Sequence, residues 1–591
     1  MKTNWRISTN NDSDTSKRIF PELEKITEDI LTQRGIDTKE KKEEFLYPDY
    51  EKHLHNPKLL TDIQKAVNRI LQARKNKETI YIYGDYDVDG ITSATILSDF
   101  LNQIGLKSKT YLPDRNKEGY GLNQSAIDYI KKQGTDLIIT VDCGITNFDE
   151  VEYAKQQNLD VIITDHHFVP EKIPKALAVI NPKRKKDKYP EKMLAGVGVT
   201  FKLIQAIADE ISDYDNQQLK WLLDLVAIGN VADCVPLLGE NRTLTKYGLM
   251  VLSKTRRVGL KQLFTVGRIN IDASRLPGGE VIGFQIAPRI NAAGRMNHAS
   301  LAYELLTRTP DKITEARTLA LEIESQNQRR QKETLEIMKE VEKELDIHNL
   351  PTIIIQSSKH WSLGLVGLVA GRIADKYNRP CILLQEKDGE LKGSCRSIPA
   401  FHLMEALPKV SKLLKKFGGH SQAAGITLTK KNFPKFKKSM IELAKKQNIH
   451  LAPKEITIDL KISLKEINEK LLDELLLMEP FGQGNPKPKF LSRNVVVKRI
   501  AYLGTEQKHL KIWLADKEED SEQLEIIAFF FENTFDFLTV PNKVSDKKTA
   551  LKPGDKIDII YTLEENIWNG QRSIQGKIVD IKILSSPKIT P

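Results

Sequence analysis

The sequence predicts an α/β protein of several domains that ends in an all-β module, and three observations predict it. Short β-rich runs alternate with helix-length segments between residues 78 and 309, and again between 349 and 450. A stretch without Pro or Gly, residues 311–347, lies between the two. From about residue 455 onward, closely spaced strands and turn signals resemble a small barrel. At roughly 150 residues per domain, 591 residues leave room for about three to five.

Each element follows from its pattern. Residues 1–77 mix charges with the helical period of IQKAVNRILQARK and read as an N-terminal helical cap. In 78–309 the runs TIYIY, KTYL, DLIIT, DVIIT and ALAVI read as strands of a parallel sheet, and WLLDLVAIGNVA reads as one more. SATILSDFLNQIG and FDEVEYAKQQ supply crossover helices. Residues 310–348 are rich in good helix formers and predict one long helix bridging two domains. PTIIIQ, PCILLQ and GITLT resume the alternation in a smaller α/β domain, 349–450. NVVVKRI, KIWLA, LEIIAFFF, KIDIIYTL and GKIVDIKIL, with turns at PGD and WNG, predict the β-barrel of residues 455–591.

Composition narrows the class. With 40% hydrophobic and 29% charged residues the chain is neither collagen-like nor wholly disordered. A net charge of +11 favours a polyanionic partner such as nucleic acid. The four cysteines, Cys143, Cys234, Cys381 and Cys395, form no CxxC pair, which argues against a disulfide framework or zinc finger. No apolar leader opens the sequence and no window approaches a membrane span, so a cytoplasmic protein without membrane association is expected.

The chemistry sits where apolar runs stop. TIYIYG ends in Asp85-Tyr-Asp87-Val-Asp89, DLIITV in Asp142, DVIIT in Asp165-His166-His167, and WLLDLVAIGNVA in Asp233. A parallel sheet presents all its carboxyl ends on one edge, so these side chains can converge. An extended run would place Asp85, Asp87 and Asp89 on one side, where their repulsion calls for cations. Oxygen ligands with an imidazole suit Mn²⁺ or Mg²⁺, and paired ions roughly 3.5–4 Å apart are a recurrent device for phosphoester cleavage. Asp is also an ordinary turn former at strand ends, so the joint pattern carries this reading. His166 and His167 are neighbours and point differently, giving one metal ligand and one phosphate-facing partner. Cys143 and Cys234 follow two candidate ligands but read as buried small side chains.

At these residues the chain resembles the DHH phosphoesterase superfamily, whose triplet is Asp165-His166-His167 here, and within it the RecJ family of bacterial single-strand-specific exonucleases. YGDYDVDGITSAT, TVDCGI, TDHH, AGVGVTFKL, APRINAAGRM, WSLGLVGLVAGR, GSCRS and GGHSQAAG occur in the family's order. The resemblance implies two α/β domains, DHH and DHHA1-like, joined by a long helix around a cleft, and a C-terminal OB-fold barrel. It implies that Asp87, Asp89, Asp142, His166 and Asp233 hold two divalent cations, with Asp142 bridging, and that His167 faces the scissile phosphate. In one branch of the superfamily a His precedes the paired aspartates by four residues; this chain has Tyr83 there, so Asp85 is expected to supply that ligand.

For the DNA strand, APRINAAGR offers Arg289, Asn291 and Arg295 amid small residues, suited to phosphate contacts or to structural ion pairs. GGHSQAAG sets Gly418, Gly419 and His420 in a turn, and GSCRS adds Arg396 and Ser397; the resemblance places both along the DNA cleft. Ser362 stands where some relatives carry an imidazole, and no contact is assigned to it. The run Lys183-Arg184-Lys185-Lys186 reads as a solvated loop outside the site. In the tail, Tyr502, Trp513, Phe529, Tyr561 and Trp568 divide between core and base-stacking face.

The expected activity, implied by the resemblance, is 5′ to 3′ degradation of single-stranded DNA to mononucleotides in repair and recombination. Single-strand-binding protein and a helicase are the expected partners, and no organic cofactor is expected. Two rivals stay open: a small-substrate phosphoesterase of the same superfamily, and a non-catalytic nucleic-acid-binding scaffold on the same fold.

Overall fold

A computed structural model describes residues 3–8, 23–115, 117–273, 275–346, 349–446, 455–504, 507–531, 535, 538–540 and 549–585. The chain forms two compact units: Tyr50–Leu451 with Gly482–Gly484, and Met1–Asp49 with Ala452–Phe481 and Asn485–Pro591. The 1–77 segment is therefore divided rather than one cap. Helix Ile63–Asn76 belongs to the first unit, and helices Lys25–Gln33 and Lys39–Leu46 to the second. Periodicity shows that a helix has an apolar face but not which core receives it.

The larger unit begins with a five-stranded, wholly parallel sheet in the order Ser108–Tyr111, Ile80–Gly84, Leu137–Val141, Asp160–Thr164, Ala178–Ile180. Its central strands IYIYG and LIITV are buried throughout, as expected of strands with helices on both faces. Strand order reverses between Ile80–Gly84 and Leu137–Val141, and a crevice opens beyond the carboxyl ends of strands at such a point.

WLLDLVAIGNVA is not a strand. Leu223–Ala232 is a helix whose residues Leu223 to Asn230 are all buried, and Asp233 follows its last turn. A segment buried on every side has no periodicity to separate helix from strand. Its depth depends on Gly248 of helix Gly239–Ser253, where an added Cβ would lie 2.3 Å from the Leu223 carbonyl oxygen and 2.6 Å from Ala227 Cβ.

The long helix spans Ile313–Lys343, 31 residues, shorter than the expected 310–348, since Glu344 caps it and Leu345 and Asp346 are no longer helical. After it comes a second five-stranded sheet, ordered Lys416–Gly419, Ala423–Thr429, Glu390–Arg396, Cys381–Lys387, Ile354–Ser358. Only Ile354–Ser358 and Cys381–Lys387 pair in parallel; the others pair antiparallel, with Ala423–Thr429 between Glu390–Arg396 and the edge strand Lys416–Gly419. The expected limit of this domain at 450 falls outside the described residues.

In the smaller unit, Phe490–Leu503, His509–Ala515, Leu524–Ala528, Gln571–Ser585 and Lys556–Trp568 pair in a circuit that returns to Phe490–Leu503. Val495, Ile512, Ile526 and Ile559 fill its interior, and Ile30, Leu31 and Phe45 join the same core. Strand Asn4–Ile7 pairs in parallel with Glu455–Ile458. The strand in LEIIAFFF stops at Ala528, leaving Phe529 and Phe530 exposed. Among the described residues, no helix is long and apolar enough to cross a membrane.

Gly248→Ala should cost about 1–3 kcal/mol of stability by overpacking, which is measurable by denaturant unfolding. It should also weaken divalent-cation binding, because it displaces the helix that carries Asp233. Unchanged stability would mean that the two helices move apart freely.

Candidate metal and phosphate site

Three adjacent strands end in carboxylates: Asp85 follows Gly84, Asp142 follows Val141 and Asp165 follows Thr164. The Asp85–Asp89 run does not remain extended. Asp87 caps helix Val88–Gln103, accepting the N–H groups of Asp89 (3.0 Å) and Gly90 (3.2 Å), and Asp89 lies in the first helical turn. The three carboxylates converge because the chain turns there, not because a strand alternates. Asp89 is held by the N-terminus of the neighbouring helix Gly196–Ala208, through Gly196 N–H at 2.6 Å and Val197 N–H at 2.8 Å. A Cβ on Gly196 would lie 2.7 Å from Asp142, so this approach requires glycine. Asp142 adopts φ of 60°, a left-handed conformation that costs a non-glycine residue roughly 1–3 kcal/mol and is concentrated at functional sites.

The donors form three overlapping groups whose atoms lie within 4.8 Å of one another: Asp85, Asp87, Asp142; Asp89, His166, Asp233; and Asp142, His166, His167. His166 Nε2 is 3.1 Å from Asp142 Oδ1, 3.6 Å from Asp233 Oδ2 and 3.8 Å from Asp89 Oδ2. Neither of its ring nitrogens makes a hydrogen bond, nor do the buried Oδ1 atoms of Asp85 and Asp142. Burial raises the carboxyls of Asp85, Asp89 and Asp142 well above their ordinary range, and their mutual repulsion raises them further. Asp233 is pushed up to about 7 by burial and Asp87. Burial and the His167 charge push His166 down to about 3, leaving a neutral imidazole with a lone pair to give.

His167 is treated differently by its surroundings. Burial opposes its charge, but a 2.8 Å hydrogen bond between its Nδ1 and Asp165, with Asp233 and Asp85 nearby, lifts it to about 9. Tyr120 lies edge-on to the ring, its hydroxyl 3.1 Å from Nδ1. Asp165, absent from the expected site, is the organising residue of its triplet. It accepts the N–H groups of His166 (2.7 Å), His167 (3.0 Å) and Ile145 (2.9 Å), so both imidazoles leave the strand end in fixed directions. Cys143 is buried and burial pushes its thiol up, whereas Cys234 is exposed.

Beside this anionic pocket stands a group of arginines. APRINAAGR is helical, Ala287–Met296, and Arg295 Nη1 donates to the Gly364 carbonyl at 3.2 Å. Burial pushes Arg295 down to about 9, helped by Arg115, Arg330 and Arg396 and opposed by Asp87. Burial also lowers Arg396, with Arg115 adding to it. None of these four arginines ion-pairs with a carboxylate among the described residues; Arg330 instead donates to Asn327 and Arg396 to Ser394. Sequence reasoning missed Arg115 and Arg330. Arg115 could have been found, since it follows strand Ser108–Tyr111 on the same sheet edge; Arg330, one charge among many on a long helix, could not.

The other expected DNA contacts separate. Arg289 is committed to Glu324 at 2.6 Å and to the carbonyls of Gln285 and Gly267, a structural tie. Asn291 on the same helix is half-buried. Gly418 and Gly419 lie in a strand rather than a turn, and the reversal falls at His420–Gln422. With Ala423 opposite Arg396 and Gly419 opposite Ala424, the pairing brings Gly418, Gly419 and His420 to the corner where Arg396 emerges. Ser397 is occupied with the Phe401 carbonyl at 2.5 Å. In the tail, Tyr561 is fully buried, Tyr502 packs on Phe531, Arg499 and Lys511 cover Trp513, and Phe529 and Trp568 are exposed.

Comparison with known proteins agrees with this organisation. Residues 79–230 match the family model of the DHH family N-terminal domain, residues 350–446 the DHHA1 domain and residues 458–580 the RecJ OB domain. The single-stranded-DNA-specific exonuclease RecJ of Bacillus subtilis (strain 168) is 36% identical over 98% of this chain and 71% of its own length. That of Escherichia coli (strain K12) is 33% identical over 87% of this chain and 89% of its own. Among solved structures, RecJ of Thermus thermophilus in complex with Mn²⁺ is 27% identical. It superposes with a TM-score of 0.80, covering 99% of this chain and 80% of that one. The chain belongs to the RecJ family of single-stranded-DNA-specific exonucleases.

Proposed function

We propose that this chain hydrolyses single-stranded DNA from its 5′ end, releasing mononucleotides, with Asp85, Asp87, Asp89, Asp142, His166 and Asp233 holding two divalent cations, Mn²⁺ or Mg²⁺. The observation that carries this reading is the set of buried donors without partners, Asp85 Oδ1, Asp142 Oδ1 and both nitrogens of His166, gathered among carboxylates that repel one another. Such a set is stable at neutral pH only when positive charge enters it. Divalent cations held there lower the pKa of an attacking water and offset charge on the phosphoryl oxygens.

The chain's own residues supply the rest. His167, cationic at neutral pH through Asp165, is a donor for an oxygen of the scissile phosphate. Arg115, Arg295 and Arg396 carry positive charge that no carboxylate among the described residues neutralises, a match for the doubly charged phosphate at a strand's 5′ end. Holding that terminus beside the cations would set the first phosphodiester, and no other, against the attacking water. Gly418, Gly419, His420 and Asn291 would border the strand's path, and in the smaller unit the exposed Phe529 and Trp568 offer faces for stacking bases. Cytoplasmic repair and recombination, with single-strand-binding protein and a helicase supplying ends, complete the reading by resemblance to the family.

Hydrolysis of a long single strand labelled at either end, with Mn²⁺, Mg²⁺ or chelator, tests the whole. The expected outcome is early release of the 5′ label as mononucleotide while the 3′ label persists. Chelator should abolish activity, and Asp142→Ala should lower it by at least about 10²-fold. Early release of the 3′ label would overturn the polarity. A 5′-hydroxyl strand should be cut about 10- to 100-fold more slowly than a 5′-phosphorylated one, the worth of a charged hydrogen bond, and Arg115→Ala should erase that difference.

The raised carboxyls also predict a pH dependence. Each holds a proton when folded that it loses when unfolded, so its stabilising contribution is complete below about pH 4 and disappears as pH rises through the folded value. For Asp233 that value is about 7. Without divalent cations, Tm should therefore fall between pH 5 and 8, and Mn²⁺ should raise Tm more at pH 8 than at pH 5. A flat profile would contradict the electrostatics described here.

A further inference from the structure

The basic run after strand Ala178–Ile180 does not behave as one solvated loop. Lys185 and Lys186 are exposed. Arg184 turns back to Asp62 at 2.8 Å and to the Val179 carbonyl, and its N–H closes a turn on the Asn181 carbonyl. Asn181 is fully buried; its side-chain oxygen accepts the Lys183 N–H at 2.9 Å, and its amide donates to the His167 carbonyl at 3.0 Å. This turn is therefore tied to the metal-site strand, and it fixes Lys183 on the carboxyl edge of the sheet.

Lys183 is half-buried; burial lowers its affinity for protons, Asp233 and Asp165 of the site oppose that, and its charge acts on His166 and Asp233 in return. Among the described residues, no carboxylate ion-pairs with it. With Asp233 neutralised by divalent cations, the ammonium's three N–H donors would remain available at this edge of the sheet, carried by a backbone that Asn181 ties to His167.

We propose that Lys183 is a further substrate-contacting residue of this site, whose ammonium donates to a non-bridging oxygen of the scissile phosphate from the side of Asp233. This rests on the exonuclease reading above. In the step it assists, a water oxygen loses a proton to solvent and bonds to phosphorus, and the bond from phosphorus to O3′ of the terminal nucleotide breaks. O3′ keeps that electron pair and takes a proton from solvent, while the shortened strand keeps the phosphate. Lys183 retains its proton throughout and stabilises the charge that gathers on the phosphoryl oxygens as the bonds exchange.

The test compares wild type, Lys183→Ala and Lys183→Arg on a 5′-phosphorylated single strand with Mn²⁺, together with Mn²⁺ binding by titration calorimetry. Lys183→Ala should lower kcat about 10- to 100-fold with KM little changed. Its Mn²⁺ affinity should be equal or tighter, because a repelling cation is gone, and Lys183→Arg should recover most of the rate. A purely structural role predicts instead a loss of rate that follows weakened Mn²⁺ binding, and that result would overturn the proposal. An active wild type with an equally active Lys183→Ala would sink this proposal alone. An inactive wild type would sink the exonuclease reading and this proposal with it.

Discussion

Mutual repulsion among buried carboxylates governs the larger unit. Asp85, Asp89, Asp142 and Asp233 are brought to one crevice by two strand ends, a helix N-terminus and a helix C-terminus, and burial makes their charge costly. The surroundings accommodate that cost without removing it. The first turn of Gly196–Ala208 gives two N–H groups to Asp89, His166 stays neutral, and Asp142 accepts a left-handed backbone to aim its carboxylate inward. Among the described residues, no arginine neutralises the pocket by direct pairing. A fold that only needed stability would place an Arg there; this one keeps the negative charge for cations that arrive from solution.

The positive half of the molecule's chemistry lies next door and is organised by the opposite logic. Arg115, Arg295, Arg330 and Arg396 come from a strand end, a short helix, the long helix and the second sheet; the other three lower the affinity of Arg295 for protons, and Arg115 lowers that of Arg396. Asp87 belongs to the anionic cluster and also opposes the arginines, so the two zones meet at that residue. In the proposed reading, a phosphodiester with a terminal phosphate carries negative charge at two points and matches both zones at once, one through cations and one through guanidinium groups. Asp165 plays a smaller part of the same kind, spending its charge on the orientation of His166 and His167 rather than on substrate.

How much was legible in the chain varied with how local the cause was. The parallel strands could be read from their apolar runs, and the aspartates and histidines at their ends from adjacency to those runs. Leu223–Ala232 was misread because burial on every side erases the helical period. Residues 1–77 were misassigned because an amphipathic helix does not name the surface it covers. Arg289 and Arg295 sit six residues apart on one helix with the same chemistry; Glu324, 35 residues beyond Arg289, ion-pairs with the first, while the second meets only the Gly364 carbonyl and no carboxylate among the described residues.

Residue type and spacing therefore specified the chemistry available: carboxylates and imidazoles at strand ends for cations, arginines among small residues for phosphate, aromatics on strands for core or bases. Those choices are local, since each depends on a few neighbours along the chain. Which carboxylates share a crevice, which arginine is left without a counter-ion and why Lys183 turns inward while Lys185 and Lys186 face water depend on groups tens to hundreds of residues apart. Electrostatics in a buried pocket acts through space with little regard for chain order, so those outcomes came into being only when the sheet, its helices and the second domain had packed together.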